Sequence, residues 1–224
     1  MGFKKFKSKN VFLSMILCSV ASFSLLHADN LKECESEEDK KAGCVVKEYY
    51  DNGNLKAETP YRNGKAEGVG KFYEENGNLS DEFTLKNGML DGAVKQYDEN
   101  GNLVLEMPYK NGMLDGAVKQ YDENGNLELE IPYKNGQMEG TGKIYYPNGD
   151  IFAEEPFKNG KVNGIVKVYY EGKKLIWQAN AQNGKLVSGK CSSGKAFTSA
   201  HLTRLTNEIN EGKWGRYWYD ICEK

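Results

Sequence analysis

The chain has 224 residues with 30 basic and 32 acidic side chains, a net charge of −2. Removing residues 1–28 takes four lysines and no acids, which leaves 26 basic against 32 acidic groups and a net charge of −6. An acidic chain without a basic stripe argues against nucleic acid and against anionic lipid as partners.

Residues 1–28 have the plan of a secretory signal peptide. Lys4, Lys5, Lys7 and Lys9 form a positive leader, and 11–26 is an apolar run too short and poorly flanked for a membrane helix. Leu26-His27-Ala28 offers a cleavage site before Asp29, so the mature protein is expected to be periplasmic or secreted. A lipoprotein anchor on Cys18 is the rival, disfavoured because Leu17 is too bulky for that cleavage site. Four cysteines then remain, in a compartment that favours disulfides. Cys34 and Cys44 bracket an acidic stretch, and we expect 29–44 to be a disulfide-closed N-terminal cap.

From residue 45 to 189 the chain repeats every 24 residues. The clearest copies are 89–112, MLDGAVKQYDENGNLVLEMPYKNG, and 113–136, MLDGAVKQYDENGNLELEIPYKNG, which agree at 22 of 24 positions. A fixed period of this length is the mark of a repeat architecture. One Asn-Gly recurs at Gly53, Gly77, Gly101, Gly125 and Gly149, and a second at Gly64, Gly88, Gly112, Gly136, Gly160 and Gly184. Asn-Gly between short alternating apolar runs signals a hairpin, so each unit predicts strand, turn, strand, turn. Along the second strand of the third unit, Leu103, Leu105, Met107 and Tyr109 fall on one side, and Val104, Glu106, Pro108 and Lys110 on the other. The change from Val104 to Glu128 marks an open position, and that from Met107 to Ile131 a packed one. Pro60, Pro108, Pro132 and Pro156 share a column, which requires a bulge or an outward-facing missing N–H.

The first strand carries Lys47, Lys71, Lys95, Lys119, Lys143 and Lys167, and two residues on Tyr49, Tyr73, Tyr97, Tyr121, Tyr145 and Tyr169. A three-residue bulged turn would place these tyrosines with Leu103 and Leu105; a two-residue turn would set Lys95 opposite Glu106 instead. The bulged turn is favoured because it gathers apolar residues on one face. Units such as GTGKIYYPNGDIFAEEPFKNGKVNG (140–164) resemble MORN repeats in the variant form common in bacterial proteins. The resemblance covers about residues 45–189 and implies an all-β, elongated single-layer antiparallel meander of about six hairpins.

The period fails after Gly189. Ser199 is placed to cap a short helix with Leu202, Leu205 and Ile209 on one stripe and Gly212 at its end. Residues 214–221 alternate as a strand with Tyr217, Tyr219 and Ile221 on one side. Residues 190–224 are expected to form a C-terminal α+β cap over an otherwise exposed sheet edge. Four cysteines allow three connectivities. The local pairs Cys34–Cys44 and Cys191–Cys222 are expected, because twelve strands at about 4.8 Å hold the chain ends ~55 Å apart.

The mature chain has one histidine, His201, and neither a zinc set nor a phosphate loop. Glu58, Glu82, Glu106, Glu130 and Glu154 form a column of equivalent carboxylates with no unequal pair for acid–base work. Their expected place is a solvated face opposite the lysines. The six column tyrosines are either a binding strip for an extended partner or glycan, or the core of the sheet. The favoured function is a non-enzymatic exported protein, without cofactor or metal, whose β-surface binds a protein or cell-envelope component. The family resemblance implies two alternatives, an antitoxin of a toxin–antitoxin pair and a membrane-contact role; an export signal and an acidic chain oppose them respectively.

Overall fold

A computed structural model describes residues 31–213 and 217–223; the expected signal peptide and Cys18 therefore lie outside the described residues. Seventeen strands form one antiparallel sheet. Each long strand pairs with the strand before and the strand after it, so the chain is a meander from Cys44–Tyr49 to Lys185–Cys191.

Two turn chemistries alternate. At the first, Gly101 N donates to Asp98 O at 2.9 Å, Asp98 N donates to Asn102 O at 2.9 Å, and Gly101 has φ +82°. This is the expected three-residue turn, a β-turn followed by a left-handed glycine. At the second, Asn111 (φ +49°) and Gly112 (φ +78°) make a two-residue turn that sets Lys110 opposite Met113. Both residues must be left-handed there, which is the conformation Asn-Gly adopts at least cost.

The proline column lies at a bulge. Asp115 N donates to Pro108 O at 3.0 Å, and the same bond recurs from Glu67 to Pro60, Glu139 to Pro132 and Asn163 to Pro156. The glycine that follows has φ +131° at Gly116, and a Cβ there would come within 2.8 Å of Pro108 Cγ. Proline and glycine thus interlock across the strands, which explains why both recur with the period.

The register corrects the expected faces. A second bulge lies in the strand after each three-residue turn: Tyr97 pairs with Leu103, but Gln96 pairs with Leu105. Val104 is the extra residue. Its insertion shifts the register by one, so Lys95 does face Glu106, although the turn has three residues. The tyrosines therefore share a face with Leu103, Glu106 and Pro108. Leu105, Met107 and Tyr109 lie on the other face with Val94 and Gln96.

Short segments shield both ends of the sheet. Beside the first strand, Val45 N donates to Lys32 O at 2.9 Å and Cys34 N to Val45 O at 2.8 Å. Beside the last, Phe197 N donates to Gly189 O at 2.8 Å and Cys191 N to Lys195 O at 2.9 Å. These bonds occupy groups that an open edge would offer to another chain. The disulfides are the expected local pairs, Cys34–Cys44 and Cys191–Cys222.

The main core sits under the C-terminal helices. Leu205 and Ile209 of the helix Ser199–Asn210, with Trp218 and Ile221 of the helix Tyr217–Glu223, cover Val166, Val168, Trp177 and Ala179. Trp177 Nε1 donates to Trp218 O at 2.8 Å, which satisfies a donor buried in that core. The expected strand over 214–221 is corrected: 217–223 is helical, and 214–216 lie outside the described residues. Helical spacing brings Trp218, Ile221 and Cys222 to one side, two of them into the core and the third to Cys191, which strand alternation would not do. The expected cap residue is also corrected, from Ser199 to Thr198. Thr198 Oγ1 accepts from His201 N, and His201 Nδ1 accepts from Thr198 N, both at 3.3 Å.

Candidate functional site

The two faces of the sheet have different chemistry. On one, the register sets lysine beside glutamate from strand to strand without a break: Lys71 faces Glu58 and Glu82, Lys95 faces Glu82 and Glu106, and Lys119 faces Glu106 and Glu130. The alternation begins at Lys47 and passes through Lys143 and Glu154 to Lys167, beyond which Gln178 replaces the glutamate. Opposite charges directly across strands stabilise a sheet and select its register. The glutamates face the lysines as expected, but the face is less open than expected, since Glu58 is only 3% exposed. Lys71 Nζ lies 3.3 Å from Glu58 Oε1.

The six tyrosines of the proposed binding strip, Tyr49, Tyr73, Tyr97, Tyr121, Tyr145 and Tyr169, stand on this ladder face. The hydroxyls of Tyr73, Tyr145 and Tyr169 donate to Glu58, Glu130 and Glu154 at 2.9, 3.1 and 2.9 Å. Partial burial, then the bond to the carboxylate, pushes Tyr145 and Tyr169 up to about 12. These three members of the strip are thus bound into the ladder, while Tyr49 donates to Glu33 and is 52% exposed. A second group was not singled out from the sequence: Tyr50 donates to Tyr73 O and Tyr146 to Tyr169 O, each at 2.7 Å. Its signal is the Tyr-Tyr doublet at 49–50, 145–146 and 169–170, where the duplicated units have Tyr-Asp. There Asp98 and Asp122 accept from the turn amides instead.

The other face is apolar. One row across the strands contains Phe83, Val94, Met107, Val118 and Ile131. The next alternates Gln96, Leu105, Gln120 and Leu129, then runs through Ile144 and Ala153 to Val168 and Trp177 in the core. The C-terminal helices lie over the last strands, and the short helix Glu37–Ala42 lies against the first two. Between them Leu105, Met107 and Val118 are half-buried by their neighbours in the sheet, and Phe72 is 44% exposed.

Where the C-terminal helix ends, this face forms a pocket of about 550 Å³ walled by Leu129, Ile131, Ile144, Phe157 and Ile209. Glu155 lines it. The residue is 5% exposed, and Oε1 has no hydrogen-bond partner among the described residues. Burial alone pushes its carboxyl up to about 8. Sequence reasoning assigned Glu154 to the acidic column and missed its neighbour. The signal was there: the equivalent positions are Thr59, Phe83, Met107, Ile131 and Ala179. Among the described residues no three His, Cys, Asp or Glu gather to hold a metal, and no helix is long and apolar enough to cross a membrane.

The family described as MORN repeat variant matches five consecutive segments, 45–63, 66–87, 90–111, 114–135 and 138–159. No curated protein matches the chain. Among solved structures, similarity is found to the GtfA/B complex bound to UDP and GlcNAc, at 14% identity and a TM-score of 0.23, covering 64% of this chain and 25% of that one. Accessory secretory protein 1, 2 and 3 of Streptococcus pneumoniae gives 16% identity and a TM-score of 0.19, covering 55% and 18%. The chain thus spans a quarter or less of the length of these structures.

Proposed function

We propose that this protein, which belongs to the MORN repeat variant family, is an exported recognition protein that binds a cell-envelope protein and catalyses no reaction. The observation that carries this reading is the apolar strip of the central repeats, from Phe83 to Ile131, which no helix among the described residues covers between two covered ends. A contiguous apolar patch rimmed by polar residues is the usual mark of a protein contact. Repeat sheets present such strips at regular spacing, suited to an extended partner. Two disulfides support a compartment outside the cytoplasm. The ladder face is the weaker surface for recognition, because opposite charges stand beside one another across its strands.

The test is affinity capture from an envelope extract with the oxidised mature protein. Three baits serve: the unaltered protein, a Leu105→Lys/Val118→Lys variant, and a Tyr97→Phe/Tyr121→Phe variant of the ladder face. We expect one protein to be captured reproducibly by the first and third baits and lost from the second, with all three showing the same circular dichroism. Capture of nothing reproducible, or loss on the ladder-face variant alone, would overturn the reading.

A further inference from the structure

Glu155 occupies a place in the apolar row that the other units give to Thr, Phe, Met, Ile or Ala. Its cross-strand neighbour is Gly142, and the Phe157 ring packs over that glycine so closely that a Cβ there would come within 2.8 Å of it. The neighbouring duplicated unit sets Val118 against Ile131 at the same two positions. Two departures from the repeat therefore coincide. One lets the Phe157 ring lie against the backbone and the other supplies a carboxyl, and Gly142, Glu155 and Phe157 all line the pocket.

An unpartnered carboxyl so deeply buried costs free energy unless something pairs with it. A pocket of this size, mostly apolar with few polar groups, has the form of a small-molecule site. We propose that the pocket binds a small organic cation, its hydrocarbon lying on Leu129, Ile131, Ile144 and Phe157 and its ammonium donating to the Glu155 carboxylate. The other charged residues on the lining are Glu128, Lys143 and Lys161. Glu128 already accepts from Gln120 at 3.0 Å, and Lys143 stands in register between Glu130 and Glu154. The C-terminal helix contributes only uncharged groups, Ile209 and Asn210. Glu155 is therefore the carboxyl free to meet a cation. Burial holds its proton on at neutral pH, and arrival of an ammonium drives that proton into solvent.

Calorimetry at pH 7 in two buffers of different ionisation enthalpy tests this with n-hexylamine, 1-hexanol and hexanamide as probes. Hexylammonium is expected to bind at least tenfold more tightly than hexanol, releasing close to one proton per molecule bound. Glu155→Gln is expected to erase both the preference and the proton release. Equal binding of amine and alcohol, tighter binding of hexanamide, binding of the amine without proton release, or no binding of any probe would each overturn the proposal. The proton count uses the unaltered protein, so it stands even if the variant fails to fold.

Discussion

Glu155 makes the stability of this protein depend on pH in a direction opposite to that of its aspartates. A carboxyl pushed from its ordinary 4.5 up to about 8 by burial keeps its proton in the folded state while the unfolded chain has lost it. Stability attached to this group is present below pH ~4.5, falls as pH rises toward about 8, and then levels. The slope reaches at most about 1.4 kcal/mol per pH unit. Asp98 and Asp122 are held below their ordinary range by the turn amides and Asn side chains that hydrogen-bond to them, so their contribution is lost only as pH falls below that range. The two effects occupy separate windows. Replacing Glu155 with Ile, the residue at the equivalent position 131, is therefore expected to raise the urea midpoint at pH 8 and flatten the decline between pH 5 and 8. An unchanged slope in Glu155→Ile would show that the carboxyl is ionised in the fold or paired there.

At the scale of the hairpin, register decides which residues meet, and bulges decide register. The Asn-Gly turns, the proline bulges and the local disulfides were legible in the sequence because each depends on residues that few others can replace. The inserted residue at Val104 was not legible. Val and Glu both occupy that position, and neither announces a bulge, yet it alone moves Lys95 from Leu105 to Glu106. Without it the tyrosines could not be assigned a face. The helix over 217–223 was hidden for a related reason: an aromatic run satisfies both periods, and the choice came from packing Trp218 and Ile221 under Trp177 and Phe152. Once register is fixed, the ladder has a measurable consequence. Lys119→Glu would put three carboxylates in a row with Glu106 and Glu130, losing two attractive neighbours and gaining two repulsive ones. At roughly 0.2–1 kcal/mol for each of these four cross-strand terms, the loss should be about 1–4 kcal/mol. It should shrink in 1 M salt, where the screening length falls to about 3 Å. A loss independent of salt would assign the effect to packing of the lysine stem rather than to charge.

Across the whole molecule, contacts run between neighbouring strands, while the covering elements and disulfides are confined to the two ends. Such an architecture is close to one-dimensional, with stability approximated by unit terms plus neighbour terms. The duplicated units allow a direct test. Deleting 113–136 joins Gly112 to Gln137, and the new junction repeats the one already made by Gly136 and Gln137. Every turn, bulge and ladder pairing is then regenerated one unit shorter, with Glu106 facing Lys143. On the apolar face Leu105 and Met107 take the places of Leu129 and Ile131 in the wall of the pocket. The shortened protein is therefore expected to fold cooperatively and keep both disulfides. It should also retain the fall in stability between pH 5 and 8, since Glu155 and the elements that bury it remain. Thermal unfolding by circular dichroism, with mass spectrometry before and after reduction, checks all three. Aggregation or a non-cooperative transition would mean that the central repeats are held by contacts longer than nearest neighbour. A folded protein without the pH dependence would mean that Val118 or Ile131, rather than the C-terminal helix, sets the burial of Glu155.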